Sequence, residues 1–206
     1  VNEQTTIWNR LTNGFDSGLW LNITMKHVAR GLSGMVGKDI TNNPSQVQSV
    51  PIAQVATRAG DPEMATVGVY LKLESDLCGW AVLILPLAQA LNLVDLTMGA
   101  PPGTATNLGP TERSALGETG NLMVSYFLNA VAKLAGTLNP LRPSSPAVAV
   151  DMMGAILNLM VTPVATSGDD VLIIETLFED AARALQVRFW VSPDPQQLAG
   201  NGHALA

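Results

Sequence analysis

The chain has 206 residues, a net charge of -6, 47% hydrophobic and 14% charged residues, and a single cysteine. That balance describes a globular chain with a sizeable core, and no basic stretch is present to neutralise nucleic-acid phosphates. Cys78 alone cannot form an internal disulfide and suits a reducing cytosol, so a cytoplasmic location is expected. The first residues, VNEQTTIWNR, lack a charged-then-apolar signal pattern.

From about Trp8 to Val36 apolar residues recur at three- and four-residue spacing, which predicts a helix stopped by Gly37. A polar loop follows over Thr41 to Ser45. Strand-like runs come next, Val50 to Thr57 and Ala65 to Leu73, and the latter can turn at Glu74–Asp76 into a hairpin with CGWAVLIL. The apolar run from Cys78 to Val94 is broken by Pro86, Gln89 and Asn92, so it reads as a strand followed by a helix (Leu87 to Met98) and no membrane insertion is expected. Residues Gly99 to Pro110, GAPPGTATNLGP, form the one obvious linker.

Beyond the linker the order restarts. Thr111 can cap a helix that runs to Ala135 and stops at Gly136. Pro140, Pro143 and Pro146 then break the chain, a segment Val148 to Val161 follows, and DVLIIETLF and LQVRFWV can pair as strands. Advancing by 99 positions takes Gly18 to Gly117, Asn22 to Asn121, Gly37 to Gly136 and Pro44 to Pro143. The expectation is a degenerate duplication: an α/β chain of the α+β type, residues 1–206 forming one domain from two pseudo-two-fold halves, 1–99 and 110–206, each a helix followed by antiparallel strands.

Several motifs fail. GLSGMVGKD is spaced wrongly for a phosphate loop and sits at a helix end. His27 and His203 are the only histidines and have no partners at ligand spacing, so no metal site is expected. His27 reads as a solvated helix residue, Cys78 as packing, and Asp151 as an acid on an exposed edge.

One constellation remains. Ser114, Glu118 and Asn121 stand at i, i+4 and i+7 and share a helix face, continued by Ser125 and Asn129, while Leu116, Met123, Phe127, Val131 and Leu134 form the core stripe. Gly117 and Gly120 each weaken a helix interior by roughly 1 kcal/mol against alanine. Their presence is read as clearance for a docking partner's close approach, alongside Ser114. An exposed polar face with two tolerated glycines would need no function at all.

The stretch SALGETGNLMVSYFLNAVAKLAG resembles the signature helix of the CheC family of chemotaxis aspartyl-phosphate phosphatases. That motif is Ser or Asp, three residues, Glu, two residues, Asn, then a proline about two dozen residues on. Ser114, Glu118 and Asn121 fit the spacing, and Pro143 and Pro146 bracket the proline. NITMKHVARGLSGMVGKDI through VPIAQV resembles the family's first copy, in the two-site CheC arrangement rather than the CheX form. There Asn22 and Pro44 remain, but Leu19 holds the glutamate position and Phe15 the serine position, so Asn22 marks a degenerate first site.

The resemblance implies a phosphatase with one functional site acting on a phosphorylated CheY-type response regulator. Asn121 would orient the attacking water and Glu118 would pair with the regulator's lysine. The chain would need no cofactor of its own, with Mg2+ held by the regulator. The alternative is a non-catalytic adaptor that binds a response regulator or a CheD-type receptor deamidase. A purely structural flagellar-switch relative is less expected, since no switch domain follows Ala206.

Overall fold

Alternating and continuous apolar runs place two long antiparallel hairpins at the middle of one sheet. The computed structural model describes residues 7–74, 76–161, 169–182 and 184–195. Its first hairpin joins β3 (Ala65–Glu74) to β4 (Gly79–Pro86), following β1 (Ile40–Asn42) and β2 (Gln46–Pro51). After β5 (Arg142–Pro143) and β6 (Ala147–Met152), the second hairpin joins β7 (Asp170–Asp180) to β8 (Gln186–Pro193). β4 pairs antiparallel with β8 from Gly79↔Pro193 to Ile84↔Arg188, so the hairpins fuse through their last strands. Ala81 to Leu85 are all buried, which explains the unbroken apolar run: both faces of this central strand are covered.

The edges exchange partners. β2, from the first half, pairs with β7 of the second, and β6, from the second half, pairs with β3 of the first. β1 and β5 repeat this crossing on β7 and β3. Each half therefore supplies the outer strand of the other half's hairpin, and one sheet runs through both.

Helices cover both faces. α1 (Ile7–Thr12), α2 (Ser17–Val36), α4 (Leu87–Thr97) and α5 (Pro110–Ala135) pack around Met25, Leu32, Val69, Phe127 and Phe189 on one side. On the other, α3 (Ile52–Arg58) and α6 (Met153–Val161) cover a smaller core of Val55, Val82, Ile84, Leu157 and Trp190. Burying a side chain such as Phe127 contributes about 1.5–3 kcal/mol. α2 and α5 end alike: Gly37 and Gly136 both sit at φ +66, in the left-handed region, and donate their N–H to Ser33 O and Ala132 O.

Three expectations change. The helix expected from Trp8 to Val36 is two helices, because the Asn13 and Gly14 N–H groups both turn back to Asn9 O. The strand expected over Val50 to Thr57 ends at Pro51, where the chain becomes α3; Ile52, Val55 and Ala59 lie at helical spacing and pack on Val50 and Trp190. α5 starts at Pro110 with Gly109 at its N-cap, rather than behind a Thr111 cap, since proline suits the first helical position. The linker between the halves is held in place. Asp95, 2% exposed, accepts the Gly103, Thr104 and Ala105 N–H groups at 2.7, 3.1 and 2.8 Å.

Candidate functional site

α5 is 26 residues long and amphipathic along its whole length. Leu116, Met123, Val124, Phe127, Leu128 and Val131 are buried against the sheet. On the opposite side Ser114, Glu118 and Asn129 are exposed and Asn121 and Ser125 half-buried, so the structure brings Ser114, Glu118 and Asn121 onto one accessible face. Among the described residues neither Glu118 nor Asn121 makes a side-chain hydrogen bond or ion pair. A carboxylate and a carboxamide one turn apart are thus open to an external group. Arg113, which sequence reading passed over, anchors the start of this helix: its Nε donates to Leu108 O (3.1 Å) and its Nη1 to Val148 O (3.3 Å), tying α5 to β6.

Gly117 and Gly120 do not serve the docking role expected of them. Both are buried and face the protein's own interior. A Cβ on Gly117 would lie 3.2 Å from Pro146 Cγ, and one on Gly120 would lie 2.6 Å from Val69 Cγ1. Adjacent helical residues point about 100° apart, so glycines flanking Glu118 and Asn121 need not share their face. Here they fall on the core side and let α5 settle onto β3 and the approach to β6. Of the residues assigned to partner docking, only Ser114 is exposed.

The first copy is changed in backbone as well as in side chains. Asn22 and Leu19 are exposed on α2 and Phe15 is exposed just before it, Leu19 and Phe15 standing at the positions of Glu118 and Ser114. α2 begins only at Ser17, so Phe15 precedes the helix, whereas Ser114 lies within α5. The two helices meet at matching positions: His27 and Tyr126, 99 residues apart, touch edge-to-face with ring centroids 5.4 Å apart. His27 is exposed yet packed against its counterpart, and Gly31 is the clearance beneath the Tyr126 ring. This contact has no signature within either half and becomes legible only once the repeat offset is recognised. Asp151 is exposed on β6 and accepts the Met152 N–H at 2.7 Å.

No protein-family model matches the chain. It is 25% identical to the CheY-P phosphatase CheC of Bacillus subtilis over 177 residues, 84% of each chain. Among solved structures, FliY of Thermotoga maritima superposes with a TM-score of 0.69 at 24% identity, over 89% of this chain and 90% of FliY. CheX from the CheX–CheY–BeF3–Mg2+ complex of Borrelia burgdorferi has a TM-score of 0.58 at 12% identity, over 84% of this chain and 96% of that one. The helix-and-sheet fold is that of FliY and of the CheX complex structure.

Proposed function

We propose, for a chain that belongs to the CheC/CheX/FliY family, that it dephosphorylates the aspartyl phosphate of a CheY-type response regulator. The observation that carries this reading is the accessible pair Glu118 and Asn121, one turn apart on α5 and without hydrogen-bond or ion-pair partners among the described residues. The name of the Bacillus subtilis relative and the CheX–CheY complex support the choice of partner.

In this reaction water oxygen attacks phosphorus in line, the bond from phosphorus to the aspartyl oxygen breaks, and the carboxylate leaves. Charge on the phosphoryl oxygens must be held throughout. Magnesium and a lysine in the regulator's own site would supply the positive charge that balances it. Asn121 supplies position: its carboxamide donates to or accepts from the water and carries no charge to repel phosphate. It is no general base, so the gain comes from orientation. Glu118, exposed one turn earlier, pairs with the regulator's lysine and fixes how α5 enters the site. Ser114 lies at the rim of the docked face.

The test is the decay of a phosphorylated CheY-type protein with and without this chain. Accelerated decay that is lost in Asn121→Ala supports the reading. Tight binding of the regulator with unchanged decay would instead establish the adaptor role, with a response regulator or a CheD-type deamidase as client.

A further inference from the structure

The exposed face of α2 carries a line of side chains that the proposed reaction leaves unused. Leu19 is 58% exposed and Ile23 43%, four residues apart on one side of α2, and Phe15, 105% exposed, stands just ahead of the first helical residue, Ser17. The same line continues into Lys26 and Arg30, both exposed. Arg10 stands beside it, its guanidinium 5.6 Å above the Trp20 ring. Residues 7–36 hold three cations and one acid in a chain whose net charge is -6, so this surface opposes the sign of the whole molecule. The matching positions on α5, advanced by 99, are Ser114, Glu118, Leu122, Ser125 and Asn129, which carry no cation and a single exposed acid.

We propose that this face of α2 is a docking surface for an acidic amphipathic helix of a partner protein. The partner's apolar side chains cover Phe15, Leu19 and Ile23, and its carboxylates meet Lys26, Arg30 and Arg10. Leu19 and Ile23 together on the helix, with Phe15 exposed just before it, are a surface built for burial. The cations that follow select the sign of what buries them. From Leu19 to Arg30 the ridge spans about 16 Å at helical rise, a length that three turns of a second helix can follow. A membrane fits less well. Helices lying in a lipid interface carry cations along the flanks of the apolar stripe, so that both reach the headgroups at one depth. On α2 itself Leu19 and Ile23 come first and Lys26 and Arg30 follow them along the axis.

This inference is independent of the reading of α5, and its test uses no phosphorylated regulator. The probe is a synthetic helical peptide of about 18 residues, long enough to cover the ridge, with leucines along one half of a face and glutamates along the other. A second peptide replaces every glutamate with lysine, and vesicles of mixed phosphatidylserine and phosphatidylcholine form a third arm. At low salt the glutamate peptide is expected to bind the full chain and to shift the amide resonances of Phe15 to Arg30. Binding should weaken at least tenfold in Leu19→Ser/Ile23→Ser and in Lys26→Glu/Arg30→Glu. The second variant should gain affinity for the lysine peptide. All four positions are exposed, and thermal melts confirm that both variants fold. The proposal is overturned by absent binding, by equal binding of both peptides, by binding that survives both variants, or by vesicle binding without peptide binding.

Discussion

Gly120 lies directly against Val69, where a Cβ on the glycine would come within 2.6 Å of Val69 Cγ1. Real Cβ atoms do not approach this closely, so α5 sits on β3 at a separation that excludes a methyl group. Gly120→Ala should therefore destabilise the protein by about 1–3 kcal/mol through overpacking, outweighing the helix-propensity gain of roughly 1 kcal/mol. In a Val69→Ala background the same glycine change should cost much less, because the colliding methyl group is gone. Chemical denaturation of the four proteins gives the coupling, and additive costs would refute this account of the glycine.

Asn121→Ala should lower catalysed dephosphorylation of a CheY-type regulator by about 100-fold or more, the scale at which loss of positioning is felt. Stability should change by no more than about 0.5 kcal/mol, since the side chain has no hydrogen-bond partner among the described residues to lose. Glu118→Ala should raise the regulator concentration needed for half-maximal rate as well as lower the rate. Steady-state turnover and thermal melts together check both variants.

Leu19→Glu should leave the melting temperature within about 2 °C of the parent, as expected of a surface change in a chain of this size. It would set a carboxylate one turn before Asn22, restoring two members of the motif. Introduced into Asn121→Ala it should restore only a small part of any activity, because Phe15 stands ahead of α2 and presents no helical turn there. A drop of several degrees would place Leu19 in the core and refute its exposure.

Asp180 provides a pH readout. The Leu185 N–H, donating at 3.0 Å, does most to hold its carboxyl below the ordinary value of 3.8; burial opposes this, and Lys38 at 3.6 Å assists. A depressed folded-state pKa contributes stability that is fully present above 3.8 and is lost as pH falls through the folded value. Asp180→Asn should therefore be less stable than the parent near neutral pH, and the gap should close below about pH 3.8. A gap that persists unchanged into that acid range would show that the charge contributes nothing.

Local pattern determined much of this molecule in advance. Both hairpins follow from β-branched and apolar runs, both long helices from three- and four-residue spacing, and their ends from Gly37 and Gly136. Each of these depends on interactions between residues close in the chain. The spacing of Ser114, Glu118 and Asn121 likewise put them on one helix face before any packing was known. Tertiary structure decided what that spacing left open. Whether Gly117 and Gly120 faced a partner or the sheet depended on Pro146 and Val69, distant residues that determine which side of α5 is inside. The fate of Val50 to Thr57 depended on Pro51 and on a second core, around Trp190, that only the folded sheet creates. The exchange of β2 and β6 between halves was equally hidden, because strand pairing is a contact across the chain and neither strand records its partner in its own residues.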